Sequence, residues 1–160
     1  MKLTSRDWLA LTILLALTFT AAFIGGLFTS VSVDGWYQII DKPAWTPPRW
    51  VFGPVWTLLY LGMAVAAWLV WRQRGQTNVT PALTLFFVQL VLNTAWSVFF
   101  FGFQNPAAAF VDIVLLWSAI LATMIIFWRL NPVSGWLFTP YILWVTFAAT
   151  LNFAIWRMNV

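Results

Sequence analysis

The chain of 160 residues has no cysteine and no histidine. Without thiols there is no disulfide and no thiol nucleophile. Without imidazole there is no His-based metal site and no His-ligated haem. Charge is almost as scarce, at 8% of residues against the roughly 25% carried by a water-soluble domain. Eight Lys and Arg with four acids, all Asp, cannot cover a folded chain of this length in water. Nor do they supply an acid–base or nucleophilic constellation. The few cations stand at segment ends rather than in a patch, so they read as interfacial anchors and exclude a nucleic-acid surface.

What remains is apolar, at 62% of residues, and this excess resolves into five runs: 8–29, 50–71, 81–102, 106–128 and 134–156. Each is 22 or 23 residues long, and a helix needs about 20 to cross the hydrocarbon core of a bilayer. The sequence therefore predicts an all-α integral membrane protein, multi-pass, with residues 1–160 forming a single bundle of five transmembrane helices, sequential ones as antiparallel neighbours. The first run is too long for a signal-peptide core and lacks a clean cleavage pattern, so it counts as the first helix. Its Ala21, Ala22, Gly25 and Gly26 allow close helix packing, either within the bundle or at a dimer seam. Cations on the side of the N-terminus (Lys2, Arg6, Arg72, Arg74, Arg129) outnumber those opposite (Lys42, Arg49, Arg157), which predicts a cytoplasmic N-terminus. Of the 13 Trp, six (Trp8, Trp50, Trp71, Trp128, Trp136, Trp156) fall at span ends, where amphipathic rings settle at headgroup level.

Residues 30–49 are the one long connection, and they are too apolar for a solvated tether: Trp36, Tyr37, Ile39, Ile40 and Trp45 lie among Pro43, Pro47 and Pro48. Residues 35–41 can form a short helix. A stiff, apolar loop must bury its rings, and the nearest surface is the mouth of the bundle, so the segment reads as a lid.

Polar and aromatic residues inside the spans point to the same place. Gln89, Asn93 and Trp96 share one face of the third helix; Trp56, Tyr60 and Met63 share one face of the second; Pro140, Trp144, Ala148 and Asn152 step by four along the fifth. Their depth lets the three faces converge beneath the lid. An aromatic-walled cavity with a few amides would suit a planar, mostly apolar ligand bearing carbonyls or carboxylates. The amides have a second reading, as hydrogen bonds tying helix to helix. Asp112, the sole acid within a span, has three: a structural pair with Arg49 or Arg157, a proton relay, or a ligand contact.

Several stretches resemble one family: Trp36-Tyr37 with Lys42-Pro-Ala-Trp-Thr-Pro-Pro-Arg-Trp-Val-Phe52; Pro54-Val-Trp-Thr-Leu-Leu-Tyr60; Gln89-Leu-Val-Leu-Asn93-Thr-Ala-Trp96; Phe99-Phe-Phe-Gly102; and Pro140-Tyr-Ile-Leu-Trp144-Val-Thr-Phe-Ala148-Ala-Thr-Leu-Asn152-Phe153. In order and over nearly the whole chain, they are similar to the translocator protein or tryptophan-rich sensory protein (TspO/MBR) family, which includes the peripheral-type benzodiazepine receptor. The resemblance implies a five-helix bundle, often a homodimer. It also implies binding of tetrapyrroles such as protoporphyrin IX or haem-like molecules, and of benzodiazepine and isoquinoline-carboxamide ligands, with a role in porphyrin transport, sensing or stress regulation. No cofactor is required; porphyrin and membrane lipid are the implied partners.

By motif, the ligand-binding set is Trp36, Trp45, Trp56, Tyr60, Gln89, Asn93, Trp96, Trp144, Ala148 and Asn152. Trp56 and Asn93 would contact the drug-like ligand. Ala148 matches a small residue whose enlargement alters binding. Trp36 and Trp144 match two tryptophans linked to light-dependent porphyrin degradation in some bacterial members, the enzymatic alternative. A lipid- or sterol-binding interaction protein is the other. Here the animal cholesterol motif is incomplete, because Leu151-Asn152-Phe153 with Arg157 lacks the tyrosine hydroxyl.

Overall fold

A computed structural model describes residues 3–160. Lys2, one of the cations counted toward orientation, lies outside the described residues. Those residues form six α-helices: α1 (Ser5–Val33), α2 (Trp36–Ile39), α3 (Arg49–Trp71), α4 (Thr80–Ser97), α5 (Pro106–Leu130) and α6 (Pro132–Met158), with no strand among them. A 3₁₀ turn, Arg72–Gly75, extends α3, and a π-helical turn, Val98–Gly102, extends α4. Five of these helices are long and apolar enough to span a membrane. Each presents large apolar side chains outward, among them Phe23, Leu58, Val91, Val111 and Leu143. Such a surface belongs in lipid, and the chain is an integral, multi-pass membrane protein. Trp8, Trp50, Trp128 and Trp136 are exposed at span ends, as interfacial anchoring requires, while Trp71 and Trp156 are half-buried.

The first helix is longer than its apolar run. Ser30 and Ser32 read as the polar start of a loop, yet both lie within α1, as does Thr29 at the end of the apolar run. Two hydroxyls bond back along the helix, Thr29 Oγ1 to Gly25 O at 3.0 Å and Ser30 Oγ to Leu27 O at 2.8 Å, and Ser32 Oγ reaches across to Phe101 O of the π turn at 2.6 Å. The connection therefore covers residues 34–48 rather than 30–49, and α2 forms one turn within the stretch expected to be helical. At the other end, Thr4 and Asp7 form a reciprocal capping box. Trp68 Nε1 donates to Asp7 O at 2.7 Å, and Arg74 pairs with the Asp7 carboxylate at 3.3 Å, locking α1 onto α3.

Chain order and spatial order differ at one point. Around the bundle the sequence is α1, α3, α6, α5, α4 and back to α1; α3 and α4, expected as neighbours, scarcely touch. The core fills the end near the N-terminus with Met63, Phe86, Ile120, Phe127, Phe138 and Tyr141, all fully buried. There α5 and α6 are joined through the single residue Asn131, whose side chain accepts from Val133 N at 3.0 Å and Ser134 N at 3.4 Å. Gly135 follows because a Cβ would stand only 2.7–2.8 Å from Trp128, so the helices close tightly. Toward the opposite end the space between α3 and α4 is left open, and it becomes the site.

Candidate functional site

A cavity of about 540 Å³ lies between α1, α3, α4 and α6 under the 34–48 connection. That volume falls within the roughly 300–1,000 Å³ typical of small-molecule sites. Nine of its 25 lining residues are aromatic. Trp56 stands 5.6 Å from Tyr60 and 6.3 Å from Tyr141, ring centre to ring centre. Trp96 stacks on Phe100 at 5.0 Å, and Trp144 meets Phe52 edge to face at 5.8 Å. Phe100 and Phe101, both in the π turn, are part of the wall.

Of the residues expected at the site, Trp56, Tyr60, Asn93, Trp96, Trp144, Ala148 and Asn152 line this cavity together. Three do not. Gln89 is fully buried about 6 Å deeper along α4 than Asn93, in the core beneath the cavity. Trp36 packs edge to face on Phe100 at 5.7 Å, outside the lining. Trp45, half exposed, rests on Phe147 at 5.8 Å. The segment does cover the cavity, but through Tyr37 and Pro47. Tyr37 is buried against Phe100 and Phe101. Burial holds its phenol above the ordinary range, with the Arg49 guanidinium pulling the other way, so Tyr37 is a neutral cap.

The connection is fastened at several points. Asn159 accepts from Asp41 N at 3.0 Å and donates to Asp41 O at 2.9 Å and Ile155 O at 2.7 Å. Lys42 Nζ donates to the carbonyls of Tyr37 and Ile40, both at 2.7 Å, and of Gln38 at 3.3 Å. Arg49 Nη1 pairs with Asp34 Oδ1 at 2.8 Å, bridging α3 to the end of α1.

The amides tie helices. Tyr60 OH donates to Asn93 Oδ1; Asn93 Nδ2 donates to Tyr141 OH at 2.9 Å; Tyr141 OH donates to Gln89 Oε1 at 2.9 Å. This chain of bonds links α3, α4 and α6 as the floor of the cavity. Asn152 accepts from Trp96 Nε1 at 2.9 Å and donates to Pro106 O at 2.8 Å, joining α6 to α4 and α5. One indole is different: Trp144 Nε1 is buried with no hydrogen-bond partner among the described residues, at a residue that lines the cavity.

Two expectations about charge change. Arg49 pairs with Asp34, not Asp112. Asp112 is buried on α5, which contributes nothing to the cavity wall, and its Oδ2 has no partner among the described residues. The cavity wall that spacing did not reveal belongs to α1: Phe19, Ala22, Gly25, Gly26, Thr29 and Val33. The signal was the small-residue run, read as packing. Gly25 does pack, since an added Cβ would stand 3.1 Å from Ser97 Oγ, whereas one at Gly26 would meet nothing within 4 Å. Gly26 on α1 and Gly53 and Thr57 on α3 line the cavity and are exposed, so it opens sideways between these helices.

The sequence profile of the TspO/MBR family matches residues 12–157. Among curated proteins, the tryptophan-rich protein TspO of Chlorobaculum tepidum is 41% identical over 156 residues, covering 97% of this chain and 99% of its own length. The protein of the same name from Archaeoglobus fulgidus is 43% identical over 137 residues, 86% of this chain and 88% of its own. The human translocator protein is 39% identical over 140 residues, 86% and 82% respectively. With its five-helix bundle, its aromatic cavity and these relatives, the chain belongs to the TspO/MBR family.

Proposed function

We propose that this chain is a membrane receptor or transporter-like protein that holds a tetrapyrrole, or a benzodiazepine- or isoquinoline-type molecule, in the cavity beneath the 34–48 connection. The observation that carries the reading is the cavity itself, about 540 Å³ and walled by Trp56, Tyr60, Trp96, Phe100 and Trp144. Flat aromatic walls select flat ligands by offset and edge-to-face contact. The free indole N–H of Trp144 offers a ligand carbonyl the acceptor-seeking group that the protein leaves unused. Sideways access between α1 and α3 suits a molecule that partitions into lipid before it binds. The names of its relatives, translocator protein and tryptophan-rich sensory protein, agree with a membrane role in moving or sensing such a molecule.

The test is a fluorescence-quenching titration of the purified protein with protoporphyrin IX, comparing the parent with a Trp56→Ala, Asn93→Ala double variant. Saturable binding that weakens in the variant supports the assignment; unchanged affinity removes it. Light-driven breakdown of the porphyrin by Trp36 and Trp144 has less support, since Trp36 stands outside the cavity wall. Product formation under light that survives replacing both by Phe would exclude it.

A further inference from the structure

Among the described residues, Arg49 is the only charged one that lines the cavity. It sits at the lid end, beside Pro47 and Val33, where a ligand lying among the aromatic walls would project its polar edge. The other cation of the connection is committed elsewhere: the Lys42 ammonium donates to three backbone carbonyls and lies over the Tyr37 ring. Arg49 is held loosely by comparison. Its one ion pair engages a single nitrogen, Nη1, with a single oxygen of Asp34, and the two side chains are 48% and 79% exposed. A guanidinium has five N–H donors in a planar fork that fits a carboxylate two at a time, so most of its capacity is unspent. Exposed ion pairs are weak, and an incoming carboxylate can displace or share Asp34 at little cost.

We propose that Arg49 is the carboxylate anchor of the cavity, with Asp34 as its resting partner, so that the site selects planar apolar molecules bearing an acid at one edge over their neutral analogues. This rests on the cavity being the binding site for planar ligands. It goes further in naming the charge the ligand carries and the residue that reads it. Asp34 keeps the guanidinium oriented over the mouth while the site is free of ligand, then competes with the ligand for it. Loss of Asp34 therefore strengthens acid binding, whereas loss of Arg49 weakens it.

The experiment compares protoporphyrin IX with its dimethyl ester, two molecules of one ring shape that differ in charge. The full chain is held in phosphatidylcholine nanodiscs, and the readout is saturable quenching of tryptophan fluorescence. Arg49→Gln is expected to weaken the free acid about tenfold and the ester less than about twofold. Arg49→Lys should restore part of the loss, because the charge returns without the fork. Asp34→Asn is expected to tighten the acid by about two- to fivefold and leave the ester alone. Helical circular dichroism and size-exclusion profiles confirm that each variant is folded, and Asp34→Asn tests the idea even where Arg49→Gln is lost. Equal effects of Arg49→Gln on acid and ester, or weaker acid binding in Asp34→Asn, would overturn the anchor while leaving the cavity assignment standing. Failure of both porphyrins to saturate the parent protein would overturn the cavity assignment, and the anchor with it.

Discussion

Removal of one oxygen atom from Tyr141 should cost this protein more than the same change at Tyr60. Both phenols belong to the cavity floor, but they carry different loads. Tyr60 OH makes one bond, to Asn93 Oδ1. Tyr141 OH makes two, accepting from Asn93 Nδ2 and donating to Gln89 Oε1, each at 2.9 Å. Side-chain hydrogen bonds between membrane helices contribute roughly 0.6 kcal/mol on average and up to about 1.7 kcal/mol, and about 1–2 kcal/mol in model peptides. Tyr60→Phe should therefore destabilise by about 1 kcal/mol and Tyr141→Phe by about 2 kcal/mol, the second leaving two buried amide groups short of a partner. Volume changes little in either case, so cavity terms are small. Because both act through Asn93, the double variant should show a coupling of roughly 0.5–1 kcal/mol. Reversible unfolding in mixed detergent micelles, followed by circular dichroism, reads all four proteins. Equal costs for the two single variants, or costs within about 0.3 kcal/mol of zero for both, would refute the network as a structural tie.

Other outcomes follow from single contacts. Gly135→Ala places a methyl within 2.8 Å of three Trp128 atoms and should destabilise by about 1–3 kcal/mol, whereas Gly26→Ala, which meets nothing within 4 Å, should be silent in the same unfolding assay. Asn159→Ala removes the two hydrogen bonds that tie the 34–48 connection to the end of α6, and a third made back to Ile155 O within α6, all outside the packed core. Ligand dissociation measured by stopped flow should then accelerate several-fold, with global stability lowered by about 1 kcal/mol or less; unchanged dissociation would mean that the connection does not gate the cavity. Gly26→Leu should narrow the slot between α1 and α3 and slow ligand uptake from vesicles; an unaltered rate would place the entrance elsewhere.

The spans were legible because hydrocarbon thickness sets a length and lipid demands apolar side chains, and five runs met both conditions. The end of α1 was not, because Ser30 and Ser32 look like loop residues until their hydroxyls are seen bonding back along the helix and to Phe101. Helical spacing found the facing sides of α3, α4 and α6, but Gln89, one turn from Asn93 on the same face, falls in the core below the cavity. Steps of four also drift by about 40° each, so the row from Pro140 to Asn152 begins on the exposed surface and turns inward only at Trp144. The apolar rings of the connection were legible, but which of them faces the cavity depends on the turn at Trp36–Ile39, and that turn chose Tyr37. The π turn at Val98–Gly102 and the separation of α3 from α4 are tertiary outcomes with no local signature. Gly25 and Gly26 were visible as small residues; that both border the cavity while only Gly25 packs against Ser97 is a matter of helix rotation.

The central claim is that the space between α3 and α4 is a binding site rather than a lipid-filled gap. Ala148 lines it from α6 and is only partly buried, so a larger side chain there projects into the cavity. Equilibrium titration of protoporphyrin IX into the parent protein and an Ala148→Trp variant, both in nanodiscs, tests the claim most directly. One saturable site per chain in the parent, weakened at least about tenfold in the variant, is the result the structure predicts. Non-saturable uptake, or saturation that Ala148→Trp leaves untouched, would contradict it.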